Sequence, residues 1–283
     1  MFGRTDLALE AATALPDMAG ISHRETRTGD AIITHTTVHT AEAAARLGKP
    51  QGRYITVEVP PLTDDETQLL QHATCVGKAL ATLLPTQGPV LVIGLGNAAI
   101  TPDALGPQTA DMVLATRHIR GEWARSLGLT DLRPVAVLPV GVLGQTGVES
   151  SEMAQSLCRA LTPSAVIAVD ALASRSLTRL GRTVQLCDTG ISPGSGVGNN
   201  RRALSQELLG VPVIGIGVPT VVDAATIVQE LGGHPPADSA KTMMVTPREV
   251  DLMVRRAARL IALAINGALQ PDYDPADLVA AAV

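Results

Sequence analysis

With 283 residues, 46% of them hydrophobic, the chain can bury the core of one large α/β domain or two modest ones. Its aromatic residues are Phe2, Tyr54, Trp123 and Tyr273, so the core is aliphatic and base stacking is excluded as a binding mode. A net charge of −5 lacks the basic field that phosphate backbones require, so no nucleic-acid partner is expected.

The first residues hold no apolar secretory stretch. β-branched runs predict strands over residues 31–38 and 53–59. His35, within the first run, and His39, four residues on, lack an acidic third ligand, so no metal is expected. A helix is predicted over residues 64–84. Thr63 and Glu66 have capping-box spacing, and Leu69, Leu70, Ala73, Val76, Leu80 and Leu83 form one apolar face. Further strands are predicted over 89–93, 135–138, 165–169, 183–186 and 211–216. Several are continuous aliphatic runs, as in strands covered on both faces.

The apolar stretch 211–222 is too short and too broken by Gly and Pro to span a bilayer, so no membrane partner is expected. Residues 232–236, rich in Gly and Pro, are the best candidate for a mobile connection. A last helix opens with Thr246 as cap, Pro247 at its first position and Glu249 completing the box. Its face from Val250 to Ala264 is apolar, with Arg255, Arg256 and Arg259 on a solvated side. Alternating strands and helices predict one α/β domain with a doubly wound, mostly parallel sheet and helices on both faces. Cys75, Cys158 and Cys187 are odd in number and widely spaced. They fit a reducing, cytoplasmic compartment rather than a disulfide framework.

Three segments could carry chemistry. Gly94-Leu95-Gly96-Asn97-Ala98-Ala99 has dinucleotide-fingerprint spacing. However, Pro102 falls where the phosphate-binding helix should run, and the next strand ends in Pro139 rather than an acid. A tight turn that lays Thr101-Pro102-Asp103 over the sheet fits better. Asp103 is then a rim carboxylate or the N-cap of the next helix. Asp170 closes the apolar run 165–169 and would reach the same rim, or pair with Arg175 or Arg179. Two carboxylates sharing a rim do not both ionise cheaply, and such a pair can work as base and acid. The third segment, from Asp188-Thr189-Gly190 to Gly198-Asn199, reads as a glycine-rich loop able to approach a bound chain.

Seven ordered stretches resemble the germination protease (spore endopeptidase) family: Arg4-Thr5-Asp6-Leu7-Ala8; Ile93-Gly94-Leu95-Gly96-Asn97 with Thr101-Pro102-Asp103-Ala104-Leu105-Gly106-Pro107; Gly144-Gln145-Thr146-Gly147-Val148-Glu149; Val169-Asp170-Ala171-Leu172-Ala173-Ser174-Arg175-Ser176; Asp188-Thr189-Gly190 through Gly198-Asn199; Gly217-Val218-Pro219-Thr220-Val221-Val222-Asp223-Ala224; and Met244-Val245-Thr246-Pro247-Arg248-Glu249-Val250-Asp251. The resemblance implies a fold akin to hydrogenase-maturation proteases and a homotetramer free of metal and cofactor. It implies cleavage of small acid-soluble spore proteins during germination, in the cytoplasm of the developing forespore and in the spore core. It puts the two essential aspartates at Asp103 and Asp170. It also implies a zymogen that cuts its own Asp6–Leu7 bond, leaving a propeptide of residues 1–6 and a peptidase domain of residues 7–283. Thr5-Asp6-Leu7-Ala8-Leu9-Glu10 resembles the family's substrate site, an acid, an apolar residue, Ala and a further acid. The prosegment and the stretch between Asp223 and Met244 are shorter than the family's. Ser192 stands in place of a histidine, and Ala98 and Ala99 in place of bulkier residues.

The expected activity is thus an endopeptidase with an aspartate pair activating water. Gly94, Gly96, Asn97, Gly194, Ser195 and Gly196 are expected to offer substrate-binding donors. The alternatives are a metal-dependent maturation endopeptidase on the same fold, and a non-catalytic nucleotide-binding or scaffold protein.

Overall fold

The computed structural model describes residues 5–64, 66–119, 121–126, 129, 131–194, 201–232 and 243–282. Among these, nine strands form one mixed sheet: β1 (Ile21–Thr28), β2 (Ala31–Val38), β3 (Gly52–Glu58), β4 (Val90–Leu95), β5 (Val135–Gly141), β6 (Ala165–Ser174), β7 (Thr183–Cys187), β8 (Val213–Asp223) and β9 (Met244–Val245). The helices are α1 (Ala8–Thr13), α2 (Ala41–Leu47), α3 (Leu69–Ala81), α4 (Leu105–Met112), α5 (Gly121–Ser126), α6 (Leu143–Thr146), α7 (Ser150–Leu161), α8 (Gln206–Leu209), α9 (Ala224–Glu230), α10 (Val250–Leu269) and α11 (Pro275–Ala282). The sheet runs β1-β2-β3-β7-β8-β6-β4-β5, with β9 also on β8. Strands β8, β6, β4 and β5 are mutually parallel, and every other pairing is antiparallel.

The aliphatic runs are continuous because both faces of the parallel half are covered. Val90, Val92, Ile167 and Val169 enter a core shared with α3, α4 and α10. Leu91, Ile93, Leu95, Val166 and Ala168 enter a second core with α7 and α8 on the opposite face. Tyr54 and Cys187 anchor a third core beneath α1 and α2.

Strand β1 has no counterpart among the predicted strands. Its sequence, Ile-Ser-His-Arg-Glu-Thr-Arg-Thr, is polar and mostly exposed, as suits an edge strand that is paired on one side to β2. The predicted first long helix is trimmed to α3. Thr63 donates to Asp64, and Glu66 lies 2.6 Å from Arg256 of α10, so the expected capping box does not form. Likewise Thr246 donates to the Thr220 carbonyl rather than capping α10, and Arg256 is tied to Glu66 and the Leu62 carbonyl rather than solvated. Both β6 and β8 run further than predicted. The second tolerates Pro219 because the ladder shifts register beside it, between Leu172 and Ala173. Of the expected mobile connection, residues 233–236 lie outside the described residues.

Candidate active site

Strand β4 marks a reversal of strand order. It is followed by α4 on one face of the sheet, whereas β5 is followed by α7 on the other. Open α/β sheets bind ligands in the crevice that such a reversal leaves at the carboxyl ends of the strands. Two glycines bring α4 directly onto this crevice. A β-carbon on Gly94 would lie 2.3 Å from the Gly106 carbonyl oxygen, and one on Gly106 would lie 2.2 Å from that of Leu95.

Asp103 ends a single 3-10 turn, Thr101–Asp103, between β4 and α4. Its carboxylate does not cap α4, whose N-cap is Ala104 without a side-chain bond. Instead it accepts the Asn97 N–H at 2.7 Å. Thr220 of β8 donates to the Pro102 carbonyl at 2.7 Å, pinning the turn to the sheet. Gly96, at φ +110°, lets the chain fold back on Asp103.

Asp170 lies inside β6 rather than at its end. Pairing of β6 with β4 stops at Val169, so Asp170 occupies the first position that β4 leaves open. Strand alternation turns its side chain away from the face filled by Ile167 and Val169. It is 4% exposed and accepts the Ala171 N–H at 3.0 Å.

A cavity of about 340 Å³ brings together Asp103, Asp170, Asp6 and Arg201. A second groove, of about 940 Å³, adjoins it through Asp6 and Asp170 and continues past Gln185 and Lys49. Burial pushes the Asp170 carboxyl well above the usual carboxylate range, and the charges of Asp103 and then Asp6 push the same way. The Ala171 N–H and Arg201 oppose them. Burial also raises Asp103, against the Asn97 N–H and Arg201. Burial lowers Lys49, with Asp6, Cys187 and Glu10 opposing.

The N-terminal segment threads through this site. Asp6 and Ala173 exchange two bonds, each of 2.9 Å: the Asp6 N–H donates to the Ala173 carbonyl, and the Asp6 carboxylate accepts the Ala173 N–H. Leu7 and Ala8 are fully buried. Gln185 of β7 donates from Nε2 to the Asp6 carbonyl at 2.8 Å and accepts the Ala8 N–H on Oε1 at 2.6 Å. Glu10, 7% exposed, accepts the N–H groups of Arg175 at 2.7 Å and Ser176 at 3.1 Å, with Thr5 donating to it and Arg179 3.8 Å away.

A germination protease profile matches residues 5–231. The germination protease of Caldanaerobacter subterraneus subsp. tengcongensis is 39% identical, the match taking in 95% of this chain and 94% of the relative. The chain belongs to the germination protease family. Membership makes it a peptidase of spore germination. The germination protease of Bacillus velezensis is 42% identical across 80% of this chain and 65% of its own. The alignment with the Caldanaerobacter germination protease spans 309 positions, more than the 283 residues here, so that relative carries residues this chain lacks. Among solved structures, the NiFe hydrogenase maturation protease HycI from Thermococcus kodakarensis overlays 66% of this chain and 98% of its own, at a TM-score of 0.37 and 19% identity.

Within this germination protease, the structure gathers Asp6, Asp103 and Asp170 at one cavity, which Gly96 and Gly194 also line. Gly94 packs against α4, and the Asn97 N–H is taken up by Asp103; neither residue lines the cavity. Ser195 and Gly196 lie outside the described residues. Asp188 is bound to Arg53 at 2.7 Å, and Arg179 to Glu58 at 2.7 Å. His35 sits within β2, while His39 contacts Ser22 at 2.9 Å. Among the described residues no three His, Cys, Asp or Glu side chains group as a metal site, and no helix is long and apolar enough to cross a membrane. Sequence reasoning missed Gln185, Arg201 and Lys49, and read Glu10 only as the further acid of the resembling cleavage site. For Gln185 a faint signal exists, a lone amide in the buried run Thr-Val-Gln-Leu-Cys.

Proposed function

We propose that Asp103 and Asp170 are the catalytic pair of a self-processing endopeptidase that cuts small acid-soluble spore proteins, and that the Asp6–Leu7 bond is its first substrate. One observation carries the reading: the residue before that bond shares a cavity with both aspartates while the two residues after it are fully buried. Residues 1–6 are then the propeptide, of which residues 1–4 lie outside the described residues, and residues 7–283 the peptidase domain.

The unequal surroundings of the two carboxyls divide the roles. Asp170 is the more deeply buried and faces two further carboxylates, so it holds the shared proton. Asp103, stabilised as an anion by the Asn97 N–H, is the base. Asp103 takes a proton from water as the water oxygen bonds to the carbonyl carbon of Asp6. Asp170 gives its proton to the Leu7 nitrogen as the C–N bond breaks. No metal or cofactor enters these steps, and the active form is a homotetramer acting in the forespore and spore core.

Incubation of the full chain with small acid-soluble spore proteins, followed by mass spectrometry of substrate and enzyme N-terminus, tests the proposal. Wild type should expose Leu7 and fragment the substrate, whereas Asp103→Asn and Asp170→Asn should do neither and remain folded. An active Asp103→Asn enzyme would refute the assignment. Activity abolished by chelation and restored by a divalent cation would favour the metal-dependent alternative.

A further inference from the structure

We infer that Gln185 sets the register of the scissile bond, reading the peptide main chain on both sides of the residue after the cut and polarising the carbonyl that water attacks. The inference rests on the Asp6–Leu7 bond being the substrate.

The placement follows from the sheet. Gln185 of β7 and Asp170 of β6 both pair with Gly217 of the intervening β8. Residues directly opposite across a sheet project to the same face, so the amide and the carboxyl flank one opening with a glycine as its floor. Two strand spacings set their backbones roughly 10 Å apart. The floor admits no side chain: a β-carbon on Gly217 would lie 2.3 Å from the Asp170 carbonyl oxygen and 2.8 Å from Leu172 Cγ. Two facing groups with an empty position between them leave a slot of the width of a peptide chain.

The contacts show what occupies it. Leu7 is extended, at φ −80° and ψ 120°, and in an extended segment the carbonyl of one residue and the N–H two residues later point to the same side. The carboxamide of Gln185 meets both, donating to the Asp6 carbonyl at 2.8 Å and accepting from Ala8 at 2.6 Å. It pairs as the N–H and carbonyl of one residue in a parallel neighbouring strand would. The orientation of the amide is fixed, because the reverse would set its NH2 against the Ala8 N–H. Both partners are main-chain groups, so the clamp tolerates any side chain at the cut and selects only an extended backbone. The donor also faces the oxygen on which negative charge develops when water adds, where removal of one such donor typically costs about 100- to 1,000-fold in turnover.

The test pairs an enzyme variant with a substrate variant. The full chain, wild type and Gln185→Leu, is followed for the first-order rate of Leu7 exposure. The processed enzymes are then given a synthetic peptide with the sequence of residues 5–10, with and without N-methylation at its alanine. Gln185→Leu should slow self-processing by about 100-fold or more. N-methylation, which removes the donor to Oε1, should lower kcat/KM about fivefold or more on wild type and leave the variant nearly unaffected, because the partner is already gone. Equal methylation penalties on both enzymes, or a Gln185→Leu chain that processes at the wild-type rate, would overturn the inference. Should Gln185→Leu fail to fold, Gln185→Glu keeps the shape and one acceptor but replaces the donor. It should lower kcat at neutral pH, and the deficit relative to wild type should narrow as the introduced carboxyl protonates. A wild-type chain that never cuts Asp6–Leu7 sinks the underlying function instead, which separates the two failures.

Discussion

Gly96→Ala tests how the site is built without touching a carboxylate. Gly96 stands at φ +110°, where side chains are rarely tolerated, and its added β-carbon would come 2.0 Å from the Asp103 carbonyl oxygen and 3.2 Å from Asp103 Oδ1. Holding a non-glycine residue in such a conformation costs about 1–3 kcal/mol. Relieving the overlap requires the turn bearing Asp103 to move by about 1 Å or more, since ordinary contact begins near 3.4 Å. A total stability of about 5–15 kcal/mol absorbs that cost, so the variant should fold. A displacement of about 1 Å at a reacting group can cost about 100-fold in rate, and the loss should appear there. Denaturant midpoints give the stability change, and mass spectrometry of Leu7 exposure gives the rate. Gly144→Ala serves as control, because nothing lies within 4 Å of its added carbon. A Gly96→Ala chain that folds and self-processes at the wild-type rate would show that the position of Asp103 does not matter to cleavage.

Asp170→Asn should lose cleavage by about 100- to 10,000-fold, the usual weight of a general acid or base, yet gain stability at neutral pH. The folded pKa of Asp170 is raised above its unfolded value near 3.9. Its contribution to stability is therefore present below that value and is lost as pH rises through the raised pKa. The gap between variant and wild type should open with rising pH, and parallel pH–stability curves would contradict this. Arg201 lowers the carboxyls of both Asp103 and Asp170, so Arg201→Met should move the acid limb of the pH–rate profile to higher pH; an unmoved limb counts against its role. Glu10→Ala should cost about 1.5–3 kcal/mol, the range for bonds to a charged group, and slow Asp6–Leu7 cutting by loosening α1, as thermal unfolding and N-terminal mass analysis would report.

What the sequence made legible divides along the range of the interactions involved. Aliphatic runs such as 90–95 and 165–169 read as strands because both faces of the parallel half are covered, a condition that shows in local composition. The reverse holds for β1, whose exposed polar face looks like a loop until β2 pairs with it along its whole length. Capping-box spacing at Thr63 and Glu66 misled because a partner far away in sequence, Arg256, holds Glu66. Asp103 and Asp170 were visible as acids abutting apolar runs. Their identification as a pair came from resemblance, since local sequence equally allowed a cap or an ion pair. The partners of Gln185 and Glu10 could not be read, because they lie 177 and 165 residues away. A lone Gln in a buried strand says that an amide needs partners, not which segment supplies them.

The manner in which the carboxylates are held bears on how the proposed pair would divide its work. Asp103, Asp170 and Asp6 each accept a backbone N–H, from Asn97, Ala171 and Ala173 respectively. A backbone donor fixes a carboxylate in place while leaving its net charge intact. Arg201 lowers both Asp103 and Asp170, but burial is the larger influence on each, so both remain raised. Asp170, facing Asp103 and Asp6 together, is displaced further. On the proposed mechanism the acid at position 6 feeds back on the chemistry: its charge helps keep on Asp170 the proton destined for the leaving nitrogen. Replacing Asp6 by Asn removes that charge while preserving an oxygen to accept from Ala173. It should therefore shift the basic limb of self-processing to lower pH while the bond stays in register, and a limb that does not move would mean that Asp170 draws its protonation from burial and Asp103 alone.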